Sequence, residues 1–227
     1  ALRNETTRAK LIAEGIEAGD MKNLAHMLHP FGIDSKPNLD FARQQSLLQL
    51  AEAEGKDPVE VYVERLLASE GREFFNFWMF GGNLDNQWKY MQLPHVVPML
   101  GDAGAHVGFF TDTDSPTVLL SELTREQGVY SLPEAVHRIT GKSAAIIGLK
   151  ERGELREGWH ADINVIDYEN LSTCHPEYVN DFPHGGGRFV VKGKGYDATI
   201  VGGKVIIKNG KHTGHRPGRV IREFVRG

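Results

Sequence analysis

Residues 73–102 read Glu73-Phe74-Phe75-Asn76-Phe77-Trp78-Met79-Phe80-Gly81-Gly82-Asn83-Leu84-Asp85-Asn86-Gln87-Trp88-Lys89-Tyr90-Met91-Gln92-Leu93-Pro94-His95-Val96-Val97-Pro98-Met99-Leu100-Gly101-Asp102. Glu73–Phe80 is a nearly continuous apolar run ended by two glycines, and Val96–Leu100 is a second one ended by Gly101. Short apolar runs punctuated this way read as strands buried on both faces. Leu84–Met91 between them has the length and pattern of a short helix. Strand, helix and strand, with a further helix after them, predict an α/β fold whose parallel sheet lies under helices. Pro98 removes one ladder donor, so that side of its strand must face an edge, a bulge or a gap.

Outward from this stretch, Glu5–Ala18 places Ala9, Ile12, Ala13 and Ile16 at helical spacing and closes on Gly19. Between Arg43 and Ser69, two helical patterns, Ser46–Glu54 and Val59–Ser69, flank Gly55-Lys56-Asp57-Pro58, where Asp57 can cap and Pro58 can open the second helix. Ser131-Leu132-Pro133-Glu134 is a capping box opening one helix over Pro133–Ile147, with Gly148 as its stop. After Leu149 the period changes. Ala161–Asp167 alternates, as does Ala198–Ile207 around Gly202-Gly203, and Asn209-Gly210 is a second hairpin signal. Pro183–Gly195, rich in glycine, reads as a loop.

The 227 residues carry a formal charge of −4, which argues against a nucleic-acid binder working through a basic face. With 40% hydrophobic and 25% charged residues, the chain is an ordinary globular one and can bury a core. Its one cysteine, Cys174, excludes an intramolecular disulfide framework and a four-cysteine zinc cage, and suits a reducing, cytoplasmic setting. No window reaches the roughly 18 apolar residues of a membrane-spanning helix, and Ala1-Leu2-Arg3-Asn4-Glu5 does not read as a signal peptide. Ala1 opens in mid-pattern without an initiator Met, as in a mature or trimmed chain or in a piece of a longer one.

Asp102 is the most informative position. It follows a strand-like run and stands among small residues in Leu100-Gly101-Asp102-Ala103-Gly104-Ala105-His106. Catalytic groups of parallel α/β folds gather at the carboxyl ends of strands, and a carboxylate there can approach a substrate or a metal-bound water. The alternative is a turn cap accepting from the amides of Gly104 or Ala105.

Further motifs decide between these. Gly101–His106, Pro116-Thr117-Val118-Leu119-Leu120, Ser131–Val136, Ile139-Thr140 and Gly148–Asp162 together resemble the C-terminal half of the amidohydrolase superfamily. The likeness is strongest to its N-acyl-D-amino-acid deacylase (D-aminoacylase) branch. Thr199–Lys204 and Thr213–Arg219 are similar to that branch's closing strands, and Ala53–Val59 to its helical insertion. The resemblance implies the C-terminal part of a (β/α)8 TIM-like barrel over residues 1–150, with the insertion at about 40–70, then a β-sandwich segment over 151–227.

It also implies zinc, a metal-activated water and an Asp, here Asp102, as general acid/base that passes the water's proton to the leaving nitrogen. Asp102 is in addition a candidate metal ligand. The family's histidine pair and its other ligands have no counterpart, since no His-x-His occurs. The expectation is therefore the C-terminal part of a longer protein, which self-associates or pairs with a missing N-terminal half. The substrate implied is a small N-acyl amino acid or related linear amide, with neither nucleic acid nor membrane as partner. A cyclic amidohydrolase of the hydantoinase or dihydroorotase kind, or a catalytically silent assembly module, are the competing readings.

The branch often carries an arginine shortly after the catalytic Asp to grip the substrate carboxylate. Here that stretch is Phe109-Phe110-Thr111-Asp112-Thr113-Asp114 without arginine, so Asp112 and Asp114 either meet a cationic group or face water. His106 reaches substrate or makes a structural bond within its loop. Trp78 and Phe80 line an acyl pocket or pack in the core. His26 and His29 share a helical face and offer half a metal site, or end a helix before Pro30. His95 lies at the wrong end of its strand, and Arg216, Arg219, Arg222 and Arg226 form a solvated basic tail.

Overall fold

The computed structural model describes residues 2–32, 37–39, 44–78, 84–98, 101, 104–109, 111–222 and 224. By its contacts the chain divides into two compact units, Ala1–Gln87 and Trp88–Gly227.

The first unit opens with α1 (Glu5–Ala18), capped by the Asn4 side chain and stopped by Gly19 in the left-handed conformation. A short α2 (Asp20–Leu24) follows, then β1 (Leu28–Gly32). The helical hairpin forms as the sequence predicts, with α3 (Leu47–Glu54) and α4 (Pro58–Ala68). Ser46 and Asp57 each accept from the first turn of their helix, and Gln49 and Glu60 reach back to complete both capping boxes. Pro58 sits at the start of α4, where its missing N–H costs nothing. Ala25, Leu47, Ala51 and Val61 form the buried core, with Met21, Leu28, Tyr62 and Phe75 packed around it. α1 approaches α4 so closely that a Cβ at Gly15 would stand 2.9 Å from Val59 Cγ1.

β2 (Phe74–Phe77) corrects two expectations. It pairs antiparallel with β1, Leu28 opposite Phe77 and Pro30 opposite Phe75, and its side chains are half-buried or exposed. One covered face is enough for an antiparallel ribbon, which is why the run is not enclosed on both sides. Its partner strand contains Pro30, which the sequence reading places at a helix end; His29 therefore lies on a strand, and His26 in the preceding turn.

In the second unit, α5 (Leu84–Gln92) begins across the division and runs into it. Val96–Pro98, read as the start of a buried strand, joins no ladder. All strand pairs among the described residues are antiparallel. α6 (Ser115–Val118) passes into a π-helical stretch, Leu119–Glu126, where the Thr124 hydroxyl donates to Leu119 O. Sequence reasoning did not delimit this helix. The helix expected over Pro133–Ile147 is two, α7 (Leu132–Ile139) and α8 (Gly141–Ile146), broken at Thr140. The break admits Gly153: a Cβ there would meet Ala144 Cβ at 2.7 Å and Thr140 O at 2.9 Å. Leu119, Leu120, Leu123, Tyr130, Ala135, Ala144 and Leu171 are buried in this unit.

The strand-rich end contains β3 (Ile163–Ile166), β4 (Ser172–Thr173), β5 (Glu177–Val179), β6 (Arg188–Val190), β7 (Gly193–Lys194), β8 (Tyr196–Val201), β9 (Lys204–Lys208) and β10 (Lys211–His212). One sheet runs β10-β9-β8-β3, and β4-β7 and β5-β6 are separate pairs. Both predicted hairpins form, with Gly202-Gly203 and Asn209-Gly210 at their turns in the left-handed region. Pro183–Gly195 is more ordered than a loop: a 3-10 turn, Pro183–Gly185, is followed by β6 and β7.

Candidate active site

Asp102 lies outside the described residues, as do Phe80, Met99, Leu100 and Arg226. Gly101 before it and the stretch from Gly104 after it are placed. A Cβ on Gly101 would stand 3.3 Å from Ser115 Oγ and 3.4 Å from Asp112 O, so the loop's two ends lie against each other. Residues 104–109 form a tight turn in which Phe109 N–H donates to His106 O at 2.9 Å.

His106 is in the left-handed conformation at φ 47°, uncommon outside glycine, and its ring stands 5.1 Å from the Phe109 ring. Both side chains are exposed. Asp112 is exposed as well. Asp114 is half-buried, and its carboxylate accepts from the Thr173 hydroxyl on β4. His106, Asp112 and Asp114 thus share one loop of the second unit.

Trp78 belongs to the first unit. Its ring is stacked on His29, centroids 3.8 Å apart, and its N–H in the backbone donates to Met27 O. His29 Nδ1 lies 3.3 Å from Gln44 O. Burial holds the His29 imidazole below its ordinary pKa, against backbone bonds that act in the other direction, so the neutral ring is the favoured form. His95 is exposed in the turn after α5, and Arg216, Arg219 and Arg222 are exposed. Cys174 is half-buried. Among the described residues no three His, Cys, Asp or Glu side chains stand close enough to hold a metal ion. They therefore do not offer the donor set of a zinc site.

The segment leading toward Asp102 is held by Arg138 of α7, which sequence reasoning missed. Arg138 is 4% exposed, and its guanidinium donates to the carbonyls of Met91, Gln92, Leu93 and Val96, while Nε pairs with Glu134. The signal was available: Arg138 follows Ala135 by three residues on the buried side of α7, an unusual place for a charge. The Tyr130 ring lies 5.0 Å from this guanidinium, and burial pushes its phenol up against the opposing effect of that charge. Thr173 and Phe189 also reach the loop and Tyr196 reaches α6, and nothing in their local sequence marks them.

Known proteins resemble parts of this chain. An N-acyl-D-aspartate deacylase of Alcaligenes xylosoxydans xylosoxydans is 38% identical over 106 residues, 46% of this chain and 19% of that protein. A dihydroorotase of Endomicrobium trichonymphae is 36% identical over 94 residues, 40% of this chain and 21% of that protein. A crystal structure of N-acyl-D-Glutamate Deacylase from Bordetella Bronchiseptica, complexed with zinc and a phosphonate inhibitor, is 20% identical. The alignment covers 90% of this chain and 39% of that one, with a TM-score of 0.49. The matched stretches thus span about a fifth of the curated relatives. The profile of the amidohydrolase family matches residues 23–207, and the chain belongs to that family.

Proposed function

We propose that this chain supplies the C-terminal part of an enzyme that hydrolyses the amide of an N-acyl-D-amino acid. The observation that supports this reading is the family match over residues 23–207 together with 38% identity to an N-acyl-D-aspartate deacylase. Residues 1–150 belong to a barrel and 151–227 to a β-sandwich segment in this reading. Asp102 accepts the proton of the attacking water and delivers it to the leaving nitrogen, work for which a carboxylate is suited. His106, Asp112, Asp114 and Trp78 are its candidate substrate contacts. Zinc is the cofactor the resemblance implies, and the described residues do not supply its ligands. A cytoplasmic setting and small-molecule substrates complete the reading, with self-association or an N-terminal barrel portion as the assembly that closes the fold. No helix among the described residues is long and apolar enough to cross a membrane.

The test is release of free amine from N-acetyl-D-aspartate and other N-acetyl-D-amino acids by the complete enzyme. Asp102→Asn should lower the rate by about 10²- to 10⁴-fold, the usual range for a lost general acid/base. An active Asp102→Asn enzyme would remove Asp102 from the mechanism. The identity to a dihydroorotase favours a second reading, a cyclic amidohydrolase. Opening of dihydroorotate or a hydantoin without cleavage of linear N-acyl amino acids would select it. No turnover of either kind would leave the assembly module.

A further inference from the structure

Asp114 occupies the N-cap position of α6, where an aspartate carboxylate ordinarily accepts from an amide two or three residues on. Here the carboxylate makes no such cap. It accepts instead from Thr173 Oγ1, 59 residues later in the chain. Thr173 is 4% exposed, so its hydroxyl has exchanged water for that carboxylate. A hydrogen bond to an ionised acceptor is of the stronger kind.

The same loop and helix are held from the strand-rich end at two further points. Phe189 N–H on β6 donates to Val107 O at 2.8 Å, inside the turn after Asp102. The hydroxyls of Tyr196 on β8 and Thr117 on α6 lie 2.8 Å apart. Of the three tethers, only that of Thr173 is charge-assisted, and it acts where the loop closes on itself. Gly101, the residue before Asp102, lies against Asp112 and Ser115, which flank Asp114.

We propose that Thr173 is a positioning residue: through Asp114 it holds the end of the segment that carries His106 and that follows Asp102 in the chain. The inference deepens the functional reading above and rests on it for the role of Asp102. Its consequence is that the strand-rich segment is part of the support of the reacting loop. Asp114, accordingly, acts as the anchor of this tether.

Thr173→Val keeps the side-chain shape and removes the donor; Thr173→Ser keeps the donor. Hydrogen exchange of the purified 227-residue chain reads the tether directly. In Thr173→Val the amides of residues 104–114 should exchange about tenfold faster, as expected for loss of one bond to a charged group. Thr173→Ser should restore protection, and β8 and β9 should be unchanged in both. Unchanged exchange in the loop, or equal acceleration in β8 and β9, would overturn the proposal. In the complete enzyme, Thr173→Val should lower kcat about tenfold with KM within about twofold, and Thr173→Ser should recover it. A change confined to KM, or a loss that serine does not rescue, overturns the positioning role. If the wild-type enzyme hydrolyses no amide, the functional reading fails, while hydrogen exchange still decides the tether.

Discussion

Arg138 Nη1 donates to the carbonyl oxygen of Val96 at 2.7 Å, joining α7 to a segment 42 residues earlier in the chain. The bond is one of several from the same guanidinium to the last turn of α5 and the backbone that follows it, where carbonyls lack an i+4 helical donor. A fork of fixed donors suits such a cluster, whereas an ammonium offers a single point of charge. Arg138→Met should destabilise the protein by about 3 kcal/mol, since it removes one buried charge and takes from the carbonyls of Gln92 and Val96 their donor, while Met91 O keeps Tyr130 and Leu93 O keeps the Val96 amide. Arg138→Lys should recover less than half of that. Urea unfolding monitored by circular dichroism measures both, and a midpoint unchanged in Arg138→Met would show the cluster to be satisfied by water.

Gly153 and Gly210 separate two causes of glycine dependence. Both have φ in the left-handed region, 83° and 72°. At Gly153 a Cβ would also stand 2.7 Å from Ala144 Cβ and 3.0 Å from the Cα of Gly141; at Gly210 nothing lies within 4 Å. Gly210→Ala should therefore cost about 1 kcal/mol, the backbone term alone. Gly153→Ala should cost at least about 2 kcal/mol more through overpacking at the α7–α8 break. Equal losses in the two variants would contradict this account.

His29 makes stability pH-dependent in a defined direction. Its folded pKa lies below the unfolded value of 6.5, so below that value the unfolded chain binds more protons than the folded one. Stability from this site is complete above about pH 6.5 and is lost as pH falls through the lowered folded value. His29→Phe, which retains a ring against Trp78, should flatten unfolding free energy between pH 7 and pH 5 relative to the parent. A steeper fall in the variant would reverse the assignment.

The helical hairpin depends on its caps. Asp57→Ala removes the acceptor for Val59 N–H and the partner geometry for Glu60 at the start of α4. A loss of about 1 kcal/mol is expected, with Asp57→Ser losing far less. Thermal unfolding of the two variants decides it.

Local chemistry made much of the secondary structure legible. α1, the α3–α4 hairpin and the β8–β9 and β9–β10 turns all follow from caps, prolines and glycines that act within a few residues. Partner choice was not legible in the same way. Phe74–Phe77 has the composition of an enclosed strand, yet pairs antiparallel with Leu28–Gly32, whose Pro30 conceals it as a strand. The single apolar helix pattern after Ser131 breaks at Thr140, where Gly153 from a later loop packs against the break.

The candidate site divides along the same line. Membership in the amidohydrolase family is a property of the sequence, and Asp102 is proposed from motifs along the chain. Arg138 against Val96, Thr173 against Asp114 and Phe189 against Val107 were decided only by the tertiary structure. Each is a pairing of ordinary polar groups far apart in the chain. Such groups carry no period or spacing, and become partners because burial removes the water that would otherwise satisfy them.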